Sequence, residues 1–425
     1  MTGIVRPIQR FRGGFCRNAV RVGIICLTLC LVPTLQMSSE GLVEVPIKSC
    51  PTDTAFPVLD DLIAQLMNHW SIPGATVAVA KGGDVVHWQG FGYADRDRRL
   101  PVERATLFRI ASVSKPITAV AVLRLFEAGK LSLETTLAKV IPDLLRDIPD
   151  ANIPKVTVRQ LLQHGAGWDD GDHDETALRD DVRRLARTVG PQGVVSPTDV
   201  IVRRFQRPLD FVPGTDHAYS NFGYLVLGRI AEKISGKPYS GFIQETVFSR
   251  IDADCSLRIG SPWLSELAQN ESRYYDYEGA EMIEAALRPG HATAWPDGGI
   301  ATTTLDSALG CVTSAPCLAR FVDATFAALD GRTGLLNRET IEEMLARPDP
   351  PLWVGSDVYY GLGWRVRESA GGRYVWHSGS MPGTTALVVR VPDGTSVAVL
   401  MNSRPRDWES FNEALQKGVA QCFGM

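Results

Sequence analysis

The stretch FRIASVSKPITA, Phe108 to Ala119, places Ser112 three residues before Lys115 where a helix is predicted to begin. Apolar residues then recur at helical spacing up to Gly129, a typical C-terminal stop. Pro116 is compatible with this helix because the first turn has no intrahelical N–H bond to lose. Positions i and i+3 share one helix face, so the hydroxyl and the amine should lie side by side.

This pairing of serine and lysine suggests nucleophilic catalysis. A serine hydroxyl is a poor nucleophile until a base removes its proton. A neutral lysine amine can be that base if its pKa falls from about 10.4, and burial, nearby positive charge and a helix N-terminus all act in that direction. The spacing alone is weak evidence, since a capping serine followed by a solvated lysine gives the same letters. The chain nevertheless contains only this one Ser-x-x-Lys.

Two later motifs offer partners for the pair. YSN, Tyr219 to Asn221, is predicted to lie in a loop just before a helix, where the phenol of Tyr219 could relay a proton. HSGS, His377 to Ser380, ends a predicted strand, where Gly379 would let a substrate backbone approach closely. Taken separately, the first is also compatible with a core tyrosine beside a turn asparagine, and the second with an ordinary strand end.

In this order the three motifs resemble those of the serine β-lactamase and penicillin-binding-protein superfamily. The most similar pattern is that of the class C-like group of β-lactamases, D,D-peptidases, D-aminopeptidases and esterases. The resemblance runs from about Asp60 to Cys422 and includes LLQHGAGW, DGGIATTTLD and YYGLGW. It implies a β-lactamase-like α/β (α+β) fold, in which an antiparallel sheet of N- and C-terminal strands is flanked by helices and accompanied by a mostly helical lobe.

The hydrophobic patterns point to the same architecture. DDLIAQLMNHW predicts a helix, and ATVAVAKGGDVVHWQGFGYAD predicts a hairpin around Gly82 and Gly83. Near the other end, RYVWHSG, TALVVRV and TSVAVLMN predict three strands, and DWESFNEALQKGVAQCF predicts a closing helix. Strands at both ends with helices between them indicate one discontinuous sheet, with a small-molecule site in the cleft beside the helical lobe.

The resemblance also implies roles for residues of the first two motifs. Ser112 would be the nucleophile that becomes acylated, and Lys115 its proton partner. Tyr219 would be the base of the second motif, and it would also return the proton to the leaving group. Asn221 would hydrogen-bond either the amide of the substrate or the lysine.

The third motif would provide binding groups. Gly379 would keep the strand edge open, and the backbone N–H groups of Ser112 and Ser380 would form the oxyanion hole. A single such donor contributes on the order of 100-fold or more in rate. Many β-lactamases have lysine where this chain has His377, which is mostly neutral at pH 7 with an ordinary pKa of about 6.5. Members of the superfamily with histidine at this position include D,D-peptidases, D-aminopeptidases and esterases.

These features together predict an exported serine hydrolase that forms an acyl-enzyme at Ser112 with an ester, amide or β-lactam carbonyl. The expected partner is a small-molecule ester, amide or peptide, and neither a cofactor nor a metal is expected. One alternative is a D,D-carboxypeptidase or penicillin-binding protein that acts on cell-wall peptides. Another is a relative that binds peptidoglycan without turnover.

The N-terminus has the pattern of a targeting segment. Five arginines precede the first acid, Glu40, and are followed by an apolar run from Val22 to Leu35. This run is shorter than the roughly 20 residues of a membrane-spanning helix, which is typical of a secretory signal. We therefore expect residues 1–41 to be an export signal, or else an uncleaved membrane anchor, and residues 50–425 to be a periplasmic or extracellular hydrolase domain. The net charge of −4 gives no basic surface for nucleic acid.

Export would permit disulfides among the five cysteines that follow the signal. Cys50 and Cys422 lie near the two ends of the mature chain, and chain termini are often close together. Cys311 and Cys317 bracket VTSAP, which is expected to be a short loop. We therefore predict the pairs 50–422 and 311–317, with Cys255 free. The alternative is five isolated thiols.

Two further features have plainer interpretations. DDGDHDE, Asp169 to Glu175, spaces aspartates as at the start of an EF-hand loop, but Glu175 stands where that loop needs glycine. A solvated loop near the cleft is therefore favoured over a calcium site. His164, in LLQHGAGW, is expected to be a buried hydrogen-bonding histidine rather than a catalyst.

Overall fold

An eight-stranded antiparallel sheet joins the two ends of the chain. The computed structural model describes residues 55–170, 176–190, 193–252, 254–369 and 371–425, all within one compact unit. The predicted export signal, residues 1–41, and Cys50 lie outside the described residues. Within those ranges, the structure contains no helix with the length and apolar character needed to cross a membrane.

The strands and helices differ widely in length. The strands are β1 (Gly74–Lys81), β2 (Asp84–Asp95), β3 (Leu100–Pro101), β4 (Phe108–Arg109), β5 (Arg258–Ile259), β6 (Ile283–Glu284), β7 (Ala292–Thr293), β8 (Cys311–Thr313), β9 (Val358–Tyr360), β10 (Arg365–Ser369), β11 (Gly372–Met381), β12 (Thr384–Arg390) and β13 (Ser396–Met401). The α-helices are α1 (Ala55–Trp70), α2 (Ser114–Glu127), α3 (Leu137–Val140), α4 (Val158–Leu162), α5 (Thr176–Val189), α6 (Pro197–Phe205), α7 (Asn221–Ser235), α8 (Tyr239–Ile243), α9 (Ser249–Ile251), α10 (Asp306–Leu309), α11 (Ala315–Phe326), α12 (Arg338–Leu345) and α13 (Trp408–Cys422). Short 3-10 turns occur at Ala111–Val113, Pro142–Leu144, Ile153–Lys155, Leu264–Glu266 and Ala327–Asp330, and a π-helical turn, Gln244–Phe248, joins α8 to α9.

The strand order of the large sheet is β3-β2-β1-β13-β12-β11-β10-β9. The N-terminal hairpin turns at Gly82 and Gly83, both with positive φ, as a tight hairpin turn requires. Strand β1 then pairs with the last strand, β13, with Val77 opposite Val399. The prediction of one antiparallel sheet built from both ends of the chain, closed by a terminal helix, is confirmed.

The two faces of this sheet pack against different helices. On β1, Val77 and Val79 face the layer that contains α1 and α13, whereas Ala78 and Ala80 face the opposite core. Ala398 of β13 also belongs to that opposite core, and α11 packs there against β1, β12 and β13. Small side chains let this helix approach the sheet closely, while the branched side chains fill the space beneath α1 and α13.

The disulfide of the structure joins Cys255 to Cys317. The predicted pairing of Cys311 with Cys317, with Cys255 free, is wrong, because the residues between them are not a loop. Cys311 lies in β8, which is fixed between β4 and β5, and Cys317 lies in the first turn of α11. Cys311 and Cys422 are buried free thiols, and burial raises the pKa of each to about 12. The predicted partner of Cys422, Cys50, lies outside the described residues.

Replacing Cys255 and Cys317 by serine should lower the free energy of unfolding by roughly 2–4 kcal/mol, because the bond spans 62 residues and restricts the unfolded chain. Urea denaturation with and without reductant measures this loss, and reductant should have no effect on the double variant. A non-reducing peptide map should show the Cys255 and Cys317 peptides linked. A map that links Cys311 to Cys317 would contradict the structure.

Candidate active site

Ser112 is the accessible residue of a tightly held turn. The 3-10 turn Ala111–Val113 follows β4 and leads directly into α2. Ala111 has a φ of 46°, in the left-handed region that residues other than glycine rarely adopt, and the Ser114 hydroxyl donates to its carbonyl oxygen at 2.7 Å. Ala111 and Val113 are buried, whereas Ser112 is only partly buried. The turn therefore presents one hydroxyl at the surface.

The amine of Lys115 lies beneath that hydroxyl with no solvent exposure. Its Nζ is 3.0 Å from Oγ of Ser112, 2.6 Å from Oδ1 of Asn221 and 3.1 Å from the carbonyl oxygen of Ala308. Nζ also lies 4.7 Å from the ring centroid of Tyr219, which is partly exposed. The structure therefore brings all four predicted residues of the first two motifs together, and of the two partners considered for Asn221 it is the lysine that the side chain contacts.

Gly379 lets β11 approach the turn that carries the nucleophile. A Cβ at this position would lie 2.3 Å from the carbonyl oxygen of Ile110 and 3.1 Å from the backbone nitrogen of Ser112. The close approach is thus made by the protein's own backbone, whereas the sequence suggested approach by a substrate. Among the described residues, β11 pairs beyond Trp376 only with β12, so its other edge is open where Ser380 lies.

His377 is buried on the same strand and has both ring nitrogens engaged. Nδ1 lies 2.7 Å from the carbonyl oxygen of Ser378, to which it donates, and Nε2 lies 2.9 Å from the Tyr360 hydroxyl, from which it accepts. Burial lowers the pKa of His377 well below 6.5, and the charges of Lys115 and Arg365 act in the same direction. The ring is neutral, as expected, and its nitrogens bond to Tyr360 and to the backbone. The predicted role of His377 in substrate binding stays a prediction.

Several groups at the site were not identified from the sequence. No sequence signal marks Ala308, because the contact is made by a backbone carbonyl that every residue type carries. Tyr360 lies in YYGLGW, which supported the resemblance although no role was assigned to it. Tyr224 approaches the lysine from α7, with its ring centroid 5.8 Å from Nζ, and donates its hydroxyl to the carbonyl of Leu162.

Asp170 is buried and makes structural contacts, so the solvated loop expected for its segment is wrong at this residue. Its carboxylate accepts from the Ser220 hydroxyl and the Phe222 N–H, and it pairs with Arg204. Residues 171–175 of the same segment lie outside the described residues. In the part of the chain that the structure describes, no group of three or more His, Cys, Asp or Glu side chains is arranged to hold a metal ion.

Acidification below about pH 6.5 should destabilise the fold. Burial lowers the pKa of His164 and of His377 well below 6.5, so the unfolded chain takes up protons that the folded chain does not. This stability is present above pH 6.5 and falls with decreasing pH, by at most about 1.4 kcal/mol per pH unit for each histidine. Urea denaturation measures the free energy of unfolding at each pH. Between pH 6.5 and 5.5 this free energy should fall less steeply with pH in His377→Gln than in the wild type. The exposed His69→Gln serves as the control. An unchanged slope in His377→Gln would contradict this assignment.

Comparison with known proteins identifies a matching family model and several relatives. Residues 59–420 match the family model "Beta-lactamase". A penicillin-binding protein of Bacillus subtilis (strain 168) is 27% identical over 357 residues, which cover 81% of this chain and 71% of that protein. Esterase EstB of Burkholderia gladioli is 29% identical over 255 residues, which cover 56% of this chain and 60% of the esterase.

The fold is also similar to solved structures. The D-amino acid amidase from Ochrobactrum anthropi SV3, complexed with D-phenylalanine, aligns with a TM-score of 0.65 and 22% identity. The alignment covers 87% of this chain and 98% of the amidase, and at this identity it shows a shared fold. The match of the family model over most of the chain shows the family itself. The chain belongs to the β-lactamase family and is a serine hydrolase of that family.

Proposed function

We propose that this protein is an exported serine hydrolase that forms an acyl-enzyme at Ser112 with an ester, amide or β-lactam substrate. The observation that carries the proposal is the position of the Lys115 amine, buried and 3.0 Å from the serine oxygen. Asn221 Oδ1 and the Ala308 carbonyl can only accept hydrogen bonds, so together they take two N–H bonds of the amine. A neutral amine that donates both N–H bonds in this way can accept the proton of Ser112 with its lone pair.

Acylation begins when Oγ of Ser112 bonds to the substrate carbonyl carbon and its proton moves to Nζ of Lys115. Burial removes an ammonium group from water at a cost, which favours the neutral amine as the resting form. The carbonyl π electrons move to oxygen as the new bond forms. The N–H groups of Ser112 and Ser380 are the proposed donors to this oxyanion, and the close approach of β11 to the nucleophile turn supports their convergence.

Collapse of the tetrahedral intermediate breaks the bond to the leaving group, which departs with a proton. Tyr219 is the proposed donor of that proton, because its ring lies beside Nζ of Lys115 and its side chain is partly exposed. The proton taken from the serine thereby reaches the alcohol or amine that leaves. Water then attacks the acyl-enzyme with the same groups acting in reverse, which releases the acid and restores Ser112 and Lys115.

His377 in the third motif favours a substrate that carries no carboxylate where it lies next to β11. His377 is neutral and bonded internally, so it supplies no fixed positive charge to grip an anion. A charge-assisted hydrogen bond contributes about 1.5–3 kcal/mol, and a carboxylate-bearing β-lactam would lose that contribution at this position. An uncharged ester is therefore the favoured substrate class, and esterase EstB is a relative whose name states that activity.

A second candidate function is a D,D-carboxypeptidase that acts on cell-wall peptides. The open edge of β11 at residues 377–381 supports it, because an extended peptide can add to a free strand edge. A relative that is acylated without turnover uses the same groups, and it differs only in the fate of the acyl-enzyme. Product release distinguishes these possibilities.

Export is part of the proposal. The basic and apolar N-terminal pattern supports it, and so does the Cys255–Cys317 disulfide, since disulfides persist mainly in oxidising compartments. A non-reducing peptide map also tests this point, because protein from its native compartment should carry the linked peptides. Two free thiols at these positions in native material would argue against export.

Ser112→Ala should abolish covalent labelling by a fluorophosphonate probe, because the attacking oxygen is absent. Lys115→Arg should slow labelling by about 100-fold or more, since a guanidinium stays protonated and does not accept the serine proton. Intact-mass spectrometry over time measures both effects. The exposed Lys130→Arg should label at the wild-type rate and serves as the matched control. Normal labelling stoichiometry in Ser112→Ala would overturn the proposal.

A substrate panel should show hydrolysis of a short-chain p-nitrophenyl ester, with nitrocefin hydrolysed slowly or not at all. The absence of a fixed charge at His377 predicts a kcat/KM for nitrocefin at least about 10-fold lower than for the ester. A D-Ala-D-Ala peptide and a D-amino acid amide complete the panel and test the second candidate function. Efficient nitrocefin turnover would contradict the preference, and a stable adduct without product release would identify a relative that does not turn over.

A further inference from the structure

His164 contacts the backbone on both sides of Tyr219. Its carbonyl oxygen accepts from the Ala218 N–H at 3.1 Å, and its Nδ1 accepts from the Ser220 N–H at 3.0 Å. The imidazole also packs against the Tyr219 ring, with the two centroids 4.4 Å apart. One residue thus fixes the segment before the tyrosine, the segment after it and the ring itself.

The conformation of His164 is unusual and allows these contacts together. Its φ is 58°, in the left-handed region that costs free energy in a residue with a Cβ. The residue is 1% exposed, and an imidazole whose Nδ1 accepts a hydrogen bond must carry its proton on Nε2. Burial is the main cause that lowers the pKa of His164 well below 6.5. The neutral acceptor is therefore the stable form near neutral pH.

Asp170 separately fixes the start of α7, where Asn221 lies. Its Oδ2 accepts from the Ser220 hydroxyl at 2.8 Å and from the Phe222 N–H at 2.9 Å, at the start of α7. From this position the Asn221 side chain reaches Lys115. The contacts divide the second motif into two parts: Asp170 holds the helix start that carries Asn221, and His164 holds the loop that carries Tyr219.

We propose that His164 is a positioning residue, which holds the Tyr219 phenol beside Lys115 by accepting the backbone N–H of Ser220. The proposal rests on the proposed function, because it assumes that Tyr219 transfers a proton. His164 itself transfers none. It fixes the loop on which the phenol is carried, and misplacement of a proton donor by a small distance slows the chemical step more than it weakens substrate binding.

Two substitutions separate the acceptor from the backbone conformation. In His164→Asn, Oδ1 can replace Nδ1 as the acceptor, and asparagine tolerates the left-handed region. In His164→Gly, the backbone conformation is freely allowed but the acceptor is lost. We expect ester hydrolysis by His164→Asn to stay within about 3-fold of the wild-type kcat, and that by His164→Gly to fall about 10- to 100-fold in kcat with little change in KM. Thermal melting establishes that each variant is folded, and His164→Ala replaces the glycine variant if that one does not fold.

A double-mutant cycle with Tyr219→Phe tests whether the effect passes through the phenol. If His164 acts by positioning Tyr219, His164→Gly should cost less than about 3-fold in the Tyr219→Phe background. An equal loss in both backgrounds would overturn the proposal, as would a His164→Asn variant that is as impaired as His164→Gly.

Three further measurements separate failure of this proposal from failure of the proposed function. Labelling of Ser112 in the wild type tests the acyl-enzyme, and a Tyr219→Phe variant with wild-type kcat would refute the proton transfer on which the positioning role depends. Hydrogen exchange of the peptide that spans residues 218–222 does not involve activity. It should be faster in His164→Gly than in the wild type and in His164→Asn, and unchanged exchange in His164→Gly would refute the backbone contact.

Discussion

The burial of one amine next to one hydroxyl is the constraint on which the rest of the site depends. Lys115 is fully buried, and its amine contacts oxygens from three different parts of the chain: the turn before α2, the first residue of α7, and α10. Because a buried amine must find partners for its N–H groups, a displacement of any of these elements would leave a polar group unsatisfied. The contacts that satisfy the buried amine are thus the same contacts that set the geometry of Ser112 and Lys115.

The sheet contributes to the placement of Ser112 through Gly379, where a larger side chain would collide with the nucleophile turn. Gly379 brings β11 against the backbone of Ile110 and Ser112, so the strand edge and the nucleophile turn are held at a fixed separation. Strand β11 is itself fixed by β12, which pairs with β13, and β13 pairs with the N-terminal hairpin. Residues near both ends of the described chain therefore determine where an oxyanion would be bound, although none of them contacts it.

Features with a strong local sequence pattern could be predicted. Contacts between residues that are far apart in the sequence could not. The adjacency of Ser112 and Lys115 follows from their i, i+3 spacing. The strands at both ends of the domain follow from their continuous apolar runs and the turns between them. The carbonyl of Ala308 could not be predicted, since any residue there supplies it. The predicted disulfide is wrong because closeness along the chain does not decide which cysteines pair. Cys311 lies in a strand, Cys317 lies in the helix that follows it, and Cys317 bonds to Cys255, 62 residues away.

Burial is the main cause of the neutral state of His377, as it is the main constraint on the amine of Lys115. A charge on Lys115 acts on the pKa of His377 in the same direction, so a proton on one group disfavours a proton on the other. A neutral imidazole can remain beside Lys115 at every stage of the proposed cycle, including the stage at which the amine has taken the serine proton. A permanent cation at position 377 would oppose that proton transfer from close range unless a bound anion compensated it. In this chain the side chain that begins the third motif therefore carries no fixed charge.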